Sequence, residues 1–233
     1  MSEHIIEVKG LSKRHGEVKA VAGADFTVSR GRITVFLGEN GAGKTTALKC
    51  ILGFLRPDAG RVVIRADRLG YVPEHPVQFP WLTGRDILSL TGRVYGLRED
   101  ALPALVAAAA AKLGFDDTLL TRRAQTYSHG NQKKFSYLQN LIFSPDLLIV
   151  DEPFSALDPV SIKRVRELFL EIKEQGRTVF LSSHLLSEAE KIADDAIIIK
   201  RGRISFQAAL GELKKNQVFP DPSLEALFLH FAS

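Results

Sequence analysis

Apolar residues along this chain come in short blocks whose spacing keeps changing. Residues 5–9 and 24–37 carry the β-branched and aromatic side chains of strands, with Arg30-Gly31 as a turn within the second stretch. The run Ile33-Thr34-Val35-Phe36-Leu37 is apolar enough for a buried strand, and Leu147–Val150 and Thr178–Ser182 read the same way. Further short strands are expected at 61–65, 69–72 and 195–199. Between them the pattern turns helical, at 44–55, in an amphipathic stretch over 160–175, and at 185–193. Residues 83–144 read as helical as a block, opened by a capping box of Thr83 with Asp86 and rich in Ala and Leu over 98–113. Pro57–Gly60 and Arg201-Gly202 mark turns, the second a hairpin, and Asp221-Pro222 precedes a last short helix ending near Phe231.

Strands that alternate with helices predict an α/β fold: a mostly parallel sheet with helices on both faces, and ligands beyond the carboxyl ends of the strands. The 233 residues suit one domain. Within it, 1–82 and 145–233 would form the α/β core, and 83–144 a helical subdomain inserted between its halves. No internal repeat or long linker interrupts this order.

Composition narrows the setting. Apolar residues are 45% and charged residues 25%, ordinary for a globular protein, and the net charge of +4 is small for this length. It fits a solvated mixed surface or a weak attraction to anionic partners. No consecutive block of Lys and Arg points to nucleic acid, and none is expected as a partner. The single cysteine, Cys50, falls in the apolar stretch 47–55, where a buried inert thiol in a reducing cytosol is expected. No run reaches the ~18–20 apolar residues of a membrane span, and the N-terminus lacks a secretory pattern. Any work at a membrane would need another chain to cross it.

Gly38-Glu39-Asn40-Gly41-Ala42-Gly43-Lys44-Thr45 matches G-x-x-x-x-G-K-[ST] at every fixed position, between an expected strand and an expected helix. Glycines let successive backbone N–H groups curl around phosphate oxygens, and the helix N-terminus favours anions. Lys44 would set an ammonium on the terminal phosphates, Thr45 would ligate Mg2+, and Thr46 would reach a further phosphate. Asp151-Glu152 ends the apolar strand 147–150. A buried carboxylate needs a cation, so Asp151 is expected to face Mg2+. Glu152, on the opposite side in strand geometry, is expected to polarise an attacking water. His184 follows the strand 178–182 and is either structural or a partner of the terminal phosphate. Tyr127-Ser128-His129-Gly130-Asn131-Gln132 precedes a helix expected over 132–143; Ser128 is a suitable cap and Gly130 would permit close approach of an anion.

Taken together, these segments resemble the nucleotide-binding subunit of ATP-binding cassette transporters, from about Ile5 to the C-terminus. The resemblance implies a P-loop NTPase core with an N-terminal antiparallel β subdomain, and hydrolysis of ATP with Mg2+. It implies that Ser128 and Gly130 contact the terminal phosphate across a head-to-tail pair, whose second member is another copy or a paralogue. Ser155-Ala156-Leu157-Asp158 resembles the loop joining the two sites. Glu152 takes the place of the catalytic base and His184 that of the switch histidine. Three positions depart from the family pattern. His15 stands where an aromatic residue often stacks on adenine, Glu74 replaces a glutamine beside the metal, and His129 replaces the first signature glycine. The resemblance further implies a permease partner, gripped in a groove for which Val77-Gln78-Phe79-Pro80-Trp81 is a candidate lining, unless its aromatics are core. That partner would hold the chain at the inner face of the cell membrane, on its cytoplasmic side. Tyr127-Ser128-x-Gly130 and Gly70–Glu74 resemble the bacterial exporter branch. A soluble cassette acting on ribosomes or DNA is the alternative, though it would bring two cassettes or a coiled coil. A P-loop kinase would not need Ser128, Asp158 and His184 in that order.

Overall fold

The computed structural model describes residues 3–76, 79–216 and 223–232, apart from the side chains of Lys214 and Asn216. In chain order the elements are β1 (His4–His15), β2 (Val18–Ser29), β3 (Ile33–Leu37), α1 (Lys44–Ile51), β4 (Ala59–Ile64), β5 (Leu69–Val72), α2 (Gly84–Val94), α3 (Leu102–Leu113), α4 (His129–Leu141), β6 (Leu147–Val150), α5 (Pro159–Glu174), β7 (Thr178–Ser182), α6 (Leu186–Glu190), β8 (Asp195–Lys200), β9 (Arg203–Ala209), α7 (Leu210–Asn216) and α8 (Leu224–Ala232). Two compact units result, one of Met1–Ala66 with Ile172–Ser233, the other of Asp67–Glu171.

The first unit holds an antiparallel sheet in the order β2-β1-β4, and the strands β7-β3-β8-β9. β3 pairs parallel with β7 and β8, and β9 closes the edge antiparallel to β8. Every residue of β3 and β7 is buried, which is why these strands read as unbroken apolar runs rather than alternating ones. Phe36 of β3, Phe180 of β7 and Phe26 of β2 meet with ring centroids 5.5–6.2 Å apart, so one aromatic cluster joins strands of both sheets. Arg32, just before β3, binds Asp195 at the start of β8 through two contacts of 2.7 Å, fixing the register of the parallel pair. Phe231 of α8 stacks on Phe206 of β9 at 4.5 Å.

The second unit pairs β5 and β6 in parallel and carries α2, α3, α4 and most of α5. The expected helical block 83–144 lies inside it, and the unit also takes in both strands and most of α5. Thr83 and Asp86 form the anticipated capping box, with Asp86 N–H donating to Thr83 Oγ1 at 3.2 Å and Thr83 N–H to Asp86 Oδ2 at 3.0 Å. Tyr127, Phe115 and Phe135 pack edge-on or tilted at 5.6–6.0 Å beneath this helix. Tyr137 of α4 meets Phe169 of α5 at 6.0 Å.

Two sequence expectations change. The helix expected over 132–143 begins at His129, because Ser128 caps it one turn earlier. The turn expected at Arg30-Gly31 does separate two strands, but the first of them begins at Val18, earlier than the expected 24. α7 had no counterpart in the sequence pattern. Val77, Gln78, Asp221 and Pro222 lie outside the described residues.

Replacing Thr83 by Ala removes the acceptor for the α2 N-terminus. It should cost about 1 kcal/mol, or ~2–4 °C in melting temperature for a chain of this size, read by circular dichroism.

Candidate functional site

The first unit carries the phosphate loop. β3 ends at Leu37, and residues 38–43 lead into α1 with Gly43 at its N-cap and no side chain capping it. The helix N-terminus therefore offers its own N–H groups. Gly43 has φ 108°, and a Cβ there would overlap the carbonyl of Ala20 in β2. At Gly38 a Cβ would come within 2.7 Å of the Ile199 carbonyl in β8. The loop is thus seated against backbone on two sides, and only glycine fits. Gly202 N–H donates to the Ala42 carbonyl at 2.9 Å, while Ala22 N–H donates to the Gly202 carbonyl at 2.7 Å. Lys44 is buried and donates from Nζ to the carbonyls of Gly38 at 2.6 Å and Glu39 at 3.1 Å, lying over the loop it follows. Asn40, Gly41 and Thr45 are exposed and Thr46 is half-buried. His15 is exposed at the tip of the β1–β2 hairpin, opposite Val18. His184 is exposed just past β7, where Ser183 Oγ accepts from Leu185 N–H at 3.0 Å and turns the chain.

In the second unit the acids stand at strand ends. β6 stops at Val150, and Asp151 and Glu152 follow it, 2% and 8% exposed. Glu152 is not in strand geometry. Its φ of 48° is left-handed, so its direction comes from a turn and not from strand alternation. Such a conformation costs a non-glycine residue about 1–3 kcal/mol and persists only where its surroundings enforce it. Ser155 does so in part, donating from its hydroxyl at 3.0 Å to the Glu152 carbonyl.

One buried polar face of α4 holds these strand ends, a feature the sequence reading missed. Lys133, only 1% exposed, donates to the carbonyl of Pro73 at 2.8 Å and of Asp151 at 2.9 Å. One turn on, Tyr137 donates to the carbonyl of Pro153 at 2.9 Å. Asn140 accepts from Tyr71 N–H at 2.9 Å and donates to the Tyr71 carbonyl at 3.0 Å. The spacing 133, 137, 140 puts all three on one side of the helix. Burial lowers the Lys133 pKa to about 8 against the opposing pull of Asp151, Glu74 and Glu152. Burial also drives Tyr71 up to about 12, with Asp151 and Glu74 adding to the shift.

Ser128 caps α4, accepting from Asn131 N–H at 3.3 Å. Gly130 lies in its first turn, with the Ala156 carbonyl 3.0 Å from where a Cβ would sit, so a backbone neighbour accounts for this glycine. His129 is exposed beside it. Ala156 is itself left-handed, at φ 60°. Asp158 caps α5: it accepts from Ser161 N–H at 3.0 Å and from its hydroxyl at 2.6 Å. The Ser161 hydroxyl, first among the causes, holds the exposed Asp158 carboxyl down at about 2. Glu74 is half exposed, with His75 Nε2 3.9 Å from its carboxylate. Phe79 and Trp81 are 57% and 74% exposed, so neither is core.

The chain matches the family described as "ABC transporter" over residues 21–155. It belongs to the ABC transporter family. An uncharacterised ABC transporter ATP-binding protein of Bacillus subtilis (strain 168), YxlF, is 32% identical over 219 residues, covering 91% of this chain and 74% of the relative. A fluoroquinolones export ATP-binding protein of Mycobacterium tuberculosis (strain CDC 1551 / Oshkosh) is 34% identical over 224 residues, covering 90% and 72%. Among solved structures, the ATP-binding subunit of an ABC transporter superposes with a TM-score of 0.90 at 29% identity, over 98% of this chain and all of that one. The chain is therefore an ABC ATPase that binds and hydrolyses ATP, with the α/β fold of that cassette. Among the described residues, no helix of this ABC cassette is long and apolar enough to cross a membrane.

Gly43→Ala tests the seat of the phosphate loop. The added methyl meets the Ala20 carbonyl at a φ that L-residues rarely adopt. ATP affinity should fall at least tenfold in fluorescence titration, with the helical signal retained; parental affinity would show that the loop relaxes freely.

Proposed function

We propose that this chain dimerises around two ATP molecules and drives a separate transmembrane permease, in the direction of export. The observation that carries the reading is that one chain holds both a phosphate loop seated on glycines, in its first unit, and two carboxylates at the end of a buried strand, in its second. In this reading Gly38, Asn40, Gly41, Gly43, Lys44, Thr45 and Thr46 cradle the phosphates, His15 stacks on the base, and Glu152 polarises the attacking water. His184 orients that water. Ser128 and Gly130 serve the ATP of the other protomer, and Asp158 links the two sites.

Mg2+ suits the residues assigned to it. Thr45, Glu74 and Asp151 offer only hydroxyl and carboxylate oxygens, the hard donors this ion takes. Among the described residues no group of three or more His, Cys, Asp or Glu is gathered for a metal. Mg2+ needs no such cage, being held by one or two carboxylates with the substrate's phosphates. When bound it would neutralise charge developing on the phosphates. Asp151, buried at the end of β6, would be its principal protein carboxylate.

Two observations support a partner-driven reading. Ser128 and His129 stand exposed at the N-terminus of α4, an anion-favouring end left open to a second molecule. Phe79 and Trp81 are exposed aromatics in the segment after Glu74, where a cytoplasmic helix of a permease is expected to dock. Export is supported by the name of the M. tuberculosis relative. Such a partner would place the chain on the cytoplasmic face of the membrane.

Glu152→Gln should abolish turnover and trap an ATP-bound dimer, read by size-exclusion chromatography with light scattering. Hydrolysis at the parental rate would remove Glu152 from its role, and a variant that stays monomeric with ATP and with its permease would end the dimer reading. Ser128→Arg should stop hydrolysis while the monomer still binds ATP; loss of monomer binding would mean that Ser128 acts in its own protomer. Lys44→Ala should weaken ATP binding at least tenfold.

A further inference from the structure

Among the described residues, Lys133 is the buried charged side chain that the reading above leaves without a task. It lies on α4, 1% exposed, amid partners that a surface lysine would never choose. Burying an ammonium is costly, so its position needs a reason. Its two acceptors are the carbonyls of Pro73 and Asp151, at 2.8 and 2.9 Å. Each precedes a carboxylate assigned to the site: Pro73 stands directly before Glu74, and Asp151 directly before Glu152. One cation therefore fastens two backbone segments from different strands, β5 and β6, at the point where each hands over to its acid.

We propose that Lys133 is a positioning residue for hydrolysis, fixing the Glu74 segment and the Asp151-Glu152 segment in one frame. The proposal rests on the assignment of Asp151 and Glu152 given above. Charge supports it as well as geometry. Asp151, Glu74 and Glu152 all act electrostatically on this ammonium, and all belong to the same compact unit. Glu74 adds a negative charge where the family pattern often has a neutral glutamine, and a buried cation offsets that addition. Tyr137 and Asn140 on the same helix face fix the neighbouring backbone through neutral bonds, so the lysine is singled out by its charge and not by its place on the face.

The test compares Lys133→Met, which keeps length but loses donors and charge, with Lys133→Gln, which keeps N–H donors at shorter reach. Each is made in the full chain and checked by thermal melting. We expect Lys133→Met to lower kcat at least tenfold with KM for ATP within twofold. Mn2+ binding to its complex with a non-hydrolysable ATP analogue, read by electron paramagnetic resonance, should weaken at least threefold. Lys133→Gln should fall between, with kcat at least threefold below the parent. A lower melting temperature with parental kcat per folded molecule and parental Mn2+ affinity would reduce Lys133 to a structural residue and overturn the proposal. If Lys133→Met does not fold, parental values in Lys133→Gln would overturn it equally. Glu152→Gln, run alongside, separates the two levels: hydrolysis at the parental rate there would sink the site assignment itself, whatever the Lys133 variants do.

Discussion

A buried ammonium must find acceptors within the protein, and in the second unit that requirement organises the backbone just before Glu74 and Glu152. Lys133 cannot reach water, so the carbonyls of Pro73 and Asp151 must be held where it can meet them. Tyr137 and Asn140 then bind the backbone on either side, at Pro153 and Tyr71. The helix that bears the cap Ser128 is thereby tied rigidly to the strand ends that bear the acids. Any tilt of α4 would have to break bonds to β5, to Asp151 and to Pro153 together. This is also what a left-handed Glu152 requires, since a strained residue survives only where its neighbours leave it no alternative.

The first unit reaches similar rigidity without charge. There the phosphate loop is seated by contact: β2 and β8 present carbonyls so close to Gly43 and Gly38 that no side chain fits between. The turn at Gly202 bonds both to the loop and to β2, so the hairpin of β8 and β9 supports the loop from outside. The phosphate loop is thus seated by the absence of side chains, and the backbone ahead of the acids is bonded by one deeply buried side chain.

Much of this was legible in the sequence, because the decisive elements are short, buried and locally encoded. β5, β6 and β7 fall on the expected residues; β6 and β7 are short runs buried throughout, and in β5 half-buried and buried residues alternate. The capping box at Thr83 and the cap at Ser128 are likewise local chemistry. What escaped were features that depend on distant neighbours. Helical spacing alone makes Lys133 an unremarkable polar residue after the signature; only β5 and β6, packed against it, reveal that it faces inward. A signal existed in the spacing of Lys133, Tyr137 and Asn140, hydrogen-bonding groups about one turn apart on the side of the helix that also carries apolar residues. Glu152 was misread as continuing the strand because nothing in the sequence marks a non-glycine left-handed residue. Asp158 was read for its place in a loop, while its nearest chemistry is the cap it gives to α5.

Cys50 lies near the C-terminal end of α1, the helix that the phosphate loop leads into; it is 4% exposed, and burial raises its thiol pKa. As the sole thiol of the chain, and one that thiol reagents reach poorly while the fold is intact, it leaves the surface chemically silent. Single cysteines placed at chosen surface positions would then carry spectroscopic labels with little background, so that the proposed pairing of two copies can be followed without rebuilding the native scaffold.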